Sequence, residues 1–112
     1  MTFIPLEEDH KTIARGFRKA PFFVFLDKGK ITIQENTHRR EKSTSFFEYF
    51  KTLGVDVLYI KNLGYNTFLK LYNMRISVYL VQESKYYYYI KSNELLLLDT
   101  ISAKTYCTMG HQ

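Results

Sequence analysis

Cysteine is almost absent from this sequence: Cys107 is the single one among 112 residues. One thiol excludes an intramolecular disulfide framework, suits a reducing compartment, and limits any metal chemistry that needs several protein ligands. Long hydrophobic runs are missing as well. The longest, around Pro21 to Leu26, falls far short of the roughly 20 residues that cross a bilayer. The N-terminus lacks a basic region followed by an apolar one, so a cytoplasmic location without membrane contact is expected. Acidic side chains are outnumbered, 11 Asp and Glu against 16 Lys and Arg. The net charge of +5 favours an anionic partner, whether nucleic acid, phosphate or a negatively charged metal-sulfur cluster. No Ser-His-Asp, P-loop or CxxC pattern is present, and the chain is not expected to be an enzyme.

Apolar residues make up 46% of the chain, including 10 Tyr and 9 Phe. A chain of this length buries roughly 65% of its unfolded surface, enough for one self-supporting core. One α/β domain over residues 1–99 is expected, followed by a loose tail over residues 100–112.

Hydrophobic periodicity organises the domain. Thr2 to Leu6 reads as a strand and Glu7 to Ala20 as a polar loop. Pro21 then stands at the mouth of an aromatic strand, Phe22 to Leu26, where a missing ladder donor costs least. Asp27-Lys28-Gly29-Lys30 supplies a turn, and Ile31 and Ile33 alternate with Thr32 and Gln34 on a half-buried partner strand. Ser45-Phe46-Phe47-Glu48 fits a capping box at a helix start, with Gly54 at the left-handed C-cap. Val55 to Ile60, a helix carrying Tyr65, Phe68, Leu69 and Tyr72, and Ile76 to Val81 read as strand, helix, strand. That order implies a parallel pair with a right-handed crossover. Between Lys85 and Leu98, Tyr86 to Tyr89 favour strand by propensity.

The order Ile13, Phe17, Ala20, Pro21, Phe22, Phe23, then Gly54-Val55-Asp56-Val57, Gly64 and Ile76-Ser77-Val78-Tyr79-Leu80-Val81 resembles the dinitrogenase iron-molybdenum cofactor biosynthesis family. These are NifX/NafY-like carriers and NifB C-terminal-domain-like accessory proteins. The sequence departs from the family pattern at Gly16, where the family has histidine, and at Arg18, where it has glycine. Lys61-Asn62-Leu63-Gly64 stands in place of Gly-Gly-Ile-Gly. The resemblance implies a three-layer α/β/α fold with a five-stranded mixed sheet of ribonuclease H-like motif, its second strand antiparallel to the rest. It also implies a terminal helix over Lys85 to Leu98, and a non-catalytic role carrying an iron-sulfur or iron-molybdenum type cluster between metallocofactor donor and acceptor proteins.

In such a sheet the loops after the first, third and fourth strands emerge at one edge, where ligands of open α/β sheets bind. Arg15, Arg18, Lys19, His38, Arg39, Asn62 and Gly64 are the candidate cofactor-binding residues there. Gly64 would open a helix whose N–H groups favour an anion. The competing reading pairs Arg18 and Lys19 with Glu7 or Glu8. His38, beside two arginines, is a candidate neutral imidazole ligand or a plain exposed loop histidine. Cys107 and His111 offer a soft donor pair for a metal, or an incidental tail. Four consecutive tyrosines cannot all face inward, so Tyr86 to Tyr89 are a candidate docking or homodimer surface. The alternative function is a cofactor-free nucleic-acid- or protein-binding module using the basic edge. A nuclease is disfavoured because the first strand carries no interior carboxylate for a two-metal site.

Overall fold

The aromatic run after Pro21 and the alternating segment that follows it pair as a hairpin around Lys28 and Gly29. Both turn residues have positive φ, 50° and 82°, as a tight two-residue hairpin turn requires. In the computed structural model, which describes residues 1–108, these strands are β2 (Phe22–Asp27) and β3 (Lys30–Glu35). They join β1 (Thr2–Leu6), β4 (Val57–Ile60), β5 (Ser77–Val81) and β6 (Leu95–Leu97) in one six-stranded sheet. The order is β3-β2-β1-β4-β5-β6. β1 is antiparallel to β2, with Phe3 opposite Phe25, and parallel to β4, with Phe3 opposite Leu58. The β4 and β5 strands are parallel as expected, and β5 is antiparallel to β6.

Helices α1 (Ser43–Phe50), α2 (Tyr65–Asn73) and α3 (Ser102–Tyr106) all deliver side chains to one core on one face of the sheet. Phe46, Phe47, Phe50, Phe68, Leu71 and Ala103 meet Phe3, Phe23, Phe25, Leu58, Ile60 and Val78 there. The opposite face carries a smaller cluster of Ile4, Leu6, Ile13, Val24 and Val81, against which Tyr87 and Ile90 pack. The mixed α/β class therefore stands, while the expected second helical layer and the five-strand count do not.

The segment over Lys85 to Leu98 is not a helix. Tyr87–Tyr89 and Ser92–Glu94 form 3₁₀ turns, and Leu95–Leu97 add the sixth strand. Glu94 is the physical reason: its buried carboxylate accepts from the N–H groups of Glu83, Ser84 and Lys91 and from the Ser84 hydroxyl, at 2.6–3.2 Å. These bonds close the chain into a reversal that a continuous helix would open. Of the expected tail, the residues from Thr100 to Thr108 are described, and they carry a short helix. Asp99 accepts from the N–H groups of Ile101 and Ser102, starting α3, and Ala103 and Cys107 are buried.

Two local readings also change. The α1 helix begins at Ser43, with Lys42 as N-cap and no side-chain cap bond, so the Ser45–Glu48 capping box is not formed. It runs through a 3₁₀ turn to Gly54, whose φ of 72° is the expected left-handed cap. β3 is exposed at every residue instead of half-buried, because it is the sheet's edge and no helix covers it.

Candidate functional site

The connection after β1 is held tight at both ends. Asp9 accepts from the Thr12 hydroxyl at 2.6 Å and from the N–H groups of Thr12 and Lys11, which lower its pKa to about 2. Farther on, Ala14 N–H bonds the Pro5 carbonyl at 2.8 Å. Phe17 then plunges into the core, its ring 5.8 Å from Phe3, 5.4 Å from Phe46 and 5.3 Å from Phe50. Anchoring that one ring leaves Arg15 and Gly16 on one side of it, and Arg18 and Lys19 on the other, at the sheet edge.

Asn36, only 1% exposed, ties this loop to the one after β3. Its amide donates to the carbonyls of Arg18 and Ala20 at 3.0 and 2.8 Å, and its oxygen accepts from His38 N–H. Arg18 in turn donates to the Glu41 carbonyl at 2.7 Å, so its guanidinium is held in place. The loop after β4 delivers Asn62, Leu63 and Gly64. It is braced by the chain's later segment, with Thr108 N–H on the Leu63 carbonyl and Tyr65 N–H on the Thr108 carbonyl, both at 2.9 Å.

These loops and two helix starts surround a cleft of about 560 Å³, lined by Arg15–Lys19, Ser43, Asn62–Gly64, Asn66, Thr67 and Lys70. Gly64 caps α2 and Lys42 caps α1, neither helix has a side-chain cap bond or an acid in its first turn, and both start at the cleft. Their first N–H groups have no intrahelical acceptor and carry the positive end of the helix dipole, although Tyr65 N–H is already taken by the Thr108 carbonyl. Lys70 adds a fourth cationic side chain and donates to Ser43 Oγ at 2.9 Å. None of the described residues that line the cleft is acidic. Among the described residues, no carboxylate lies within 4.0 Å of Arg15, Arg18, Lys19 or Lys70.

Of the candidates from sequence, Arg15, Arg18, Lys19, Asn62 and Gly64 thus come together. His38 does not line the cleft: its ring stacks on Tyr49 at 3.7 Å and pairs with Glu41 at 2.8 Å. Arg39 is also turned away, donating to the Lys19 carbonyl and standing 3.6 Å from Glu8. It is Arg39, not Arg18 or Lys19, that meets the acidic part of the first loop. Cys107 is buried, and burial pushes its thiol pKa up, away from the thiolate a metal needs. His111 lies outside the described residues. Among those residues, no cluster of three His, Cys, Asp or Glu side chains could hold a metal ion.

Sequence reasoning missed Asn36, Ser43, Asn66, Thr67 and Lys70. A signal existed for Asn36 alone, a side chain that bonds backbone readily just past a strand. The cleft's chemistry suits an anion: it offers positive charge and hydrogen-bond donors, and none of the described residues that line it is a carboxylate, cysteine or histidine.

No protein-family model and no curated protein matches the sequence. Solved structures that share the fold include the following two. PH0822, a crystal structure, superposes with a TM-score of 0.69 at 20% identity, over 86% of this chain and 92% of its own. TM1290 from Thermotoga, solved by NMR, is described as a candidate NifB protein of the DUF35 family. It superposes with a TM-score of 0.56 at 21% identity, over 93% of this chain and 85% of its own. At these identities the likeness is one of fold.

Proposed function

We propose that the chain is a non-catalytic carrier of an anionic iron-sulfur or iron-molybdenum type cluster in cytoplasmic metallocofactor assembly. One observation carries this reading: four cationic side chains and two helix N-termini enclose one cleft that no carboxylate of the described residues lines. The strand order β3-β2-β1-β4-β5 supports a ribonuclease H-like core, to which β6 adds an edge. The description of TM1290 as a candidate NifB protein supports a link to cofactor assembly. The cargo is held as an anion by charge and hydrogen bonds, because none of the described residues that line the cleft is a cysteine or histidine. Cargo held without ligation is readily surrendered to an acceptor protein.

A second reading, cofactor-free binding of nucleic acid or protein at the same edge, is favoured by that same lack of soft donors. Anaerobic titration with an isolated iron-molybdenum precursor cluster separates the two. The carrier predicts stoichiometric, salt-sensitive binding that Arg18→Ala and Lys70→Ala each weaken about tenfold, or about 1.4 kcal/mol, and that Cys107→Ser leaves unchanged. No binding of the cluster, together with salt-sensitive binding of a single-stranded oligonucleotide, rejects the carrier in favour of the second reading.

A further inference from the structure

Strand β3 lies apart from the cleft and is the least protected element of the sheet. Every residue from Lys30 to Glu35 is exposed, Ile31 at 56% and Ile33 at 39%. Sheet edges are ordinarily blunted by proline, bulges or inward charges, because free N–H and C=O groups recruit another strand. β3 has no proline, no bulge in its register with β2, and charges only at its ends.

The fold determines which backbone groups are free. Asn36 N–H donates to the Pro21 carbonyl at 2.9 Å. By alternation along the antiparallel pair, the backbone groups of Gln34, Thr32 and Lys30 also turn toward β2. Those of Ile31, Ile33 and Glu35 point out of the sheet edge.

We propose that β3 pairs antiparallel with β3 of a second copy of this chain, Thr32 opposite Thr32 on a two-fold axis, so that two sheets become one. A two-fold axis normal to the sheet keeps like faces together, so residues of the same parity oppose one another. In this register the outward groups of Ile31 meet those of Ile33 in the other copy, twice by symmetry, and close hydrogen-bonded pairs. The same isoleucines pair as side chains on the helix-free face, where Ile31 already lines an apolar groove with Leu26, Tyr87 and Ile90. Charge selects the direction. Lys28 and Lys30 stand at one end of the strand and Glu35 at the other. Antiparallel pairing sets each Glu35 opposite Gly29, between the two lysines, whereas parallel pairing sets like charges side by side.

The test is sedimentation equilibrium of the full chain over a wide concentration range, with edge variants. The wild type is expected to be a reversible dimer. Ile33→Pro removes an outward donor and leaves the bonds to β2 intact, and Ile33→Lys places charge in the seam without touching the backbone. Both are expected to give a monomer with unchanged circular dichroism. Glu35→Lys is expected to weaken the dimer about tenfold, and adding Lys28→Glu and Lys30→Glu to restore it. Under mild oxidant Thr32→Cys is expected to cross-link to itself, since directly opposed residues sit within disulfide reach, and Glu35→Cys is not. A monomer at every concentration, cross-linking of Thr32→Cys no faster than of Glu35→Cys, or a dimer that survives Ile33→Lys overturns the proposal. A dimer lost in a Tyr88→Ala, Tyr89→Ala double variant but kept in Ile33→Lys assigns the interface to the tyrosine segment instead.

Discussion

The two faces of the sheet are closed by different physics, and β1 touches both. Phe3 and Ile4 are neighbours in sequence, both fully buried, and point to opposite sides. Around Phe3 the rings of Phe17, Phe23, Phe25 and Phe50 stand 4.3–5.8 Å away under a layer of three helices. Ile4 belongs to a cluster of five buried apolar residues, closed by irregular chain. That chain is positioned by polar contacts. Ile13 N–H bonds the Lys85 carbonyl, Tyr87 N–H bonds the Lys11 carbonyl, and the Glu94 carboxylate gathers the reversal between them. Apolar area holds one face, and a hydrogen-bonded strap holds the other.

Substitutions measured by denaturant unfolding break this comparison where it is strongest. Phe3→Ala is expected to cost about 4 kcal/mol, since the rings around it cannot all close on the vacated space. Ile4→Ala is expected to cost less, about 3 kcal/mol, because it removes fewer atoms and its irregular cover can settle inward. Equal or reversed costs would mean that the strap is as rigid as the helix layer. Asn36→Ala leaves the Arg18 and Ala20 carbonyls without their side-chain donor. Roughly 2 kcal/mol of stability should go, along with part of the affinity for the proposed cluster.

The strap itself has a pH signature. Burial raises the Glu94 pKa, but the bonds from Ser84, Glu83 and Lys91 outweigh it and bring it from the ordinary 4.5 down to about 2. A depressed carboxylate stabilises the fold above its unfolded pKa and loses that contribution as pH falls through the folded value. Wild type should therefore exceed Glu94→Gln in stability near neutrality, and the two thermal unfolding curves should converge between pH 4.5 and about 2. A gap that persists in acid would remove Glu94 from the strap's support. The smallest effect belongs to Tyr89→Ala: with the side chain 62% exposed, stability should move by no more than about 0.5 kcal/mol.

Much of the helix face was legible in the sequence. The aromatic run after Pro21, the Lys28–Gly29 turn and the spacing of Phe68 and Leu71 each state their own structure, because burial on a strand or helix imposes a period. The gathering of Arg15, Arg18, Lys19, Asn62 and Gly64 was expected from the strand order that the family resemblance implies. Lys70 did not, since it reaches the cleft only because α1 and α2 start side by side. His38 read as a ligand because nothing in its own segment announces that Tyr49 will stack beneath it. The strap was misread as a helix because its shape depends on Glu94 meeting Ser84 and Lys91 across a loop, a contact without a period.

What the residues settled unaided was the mixed α/β class, the place of the first hairpin and an excess of positive charge, all products of local pattern and composition. Tertiary structure alone decided that every helix shares one side of the sheet, that a sixth strand closes it, and that two helix starts join four cations around one cleft. Those outcomes turn on side chains distant in sequence meeting in space, and the energy of such meetings is written in no single segment.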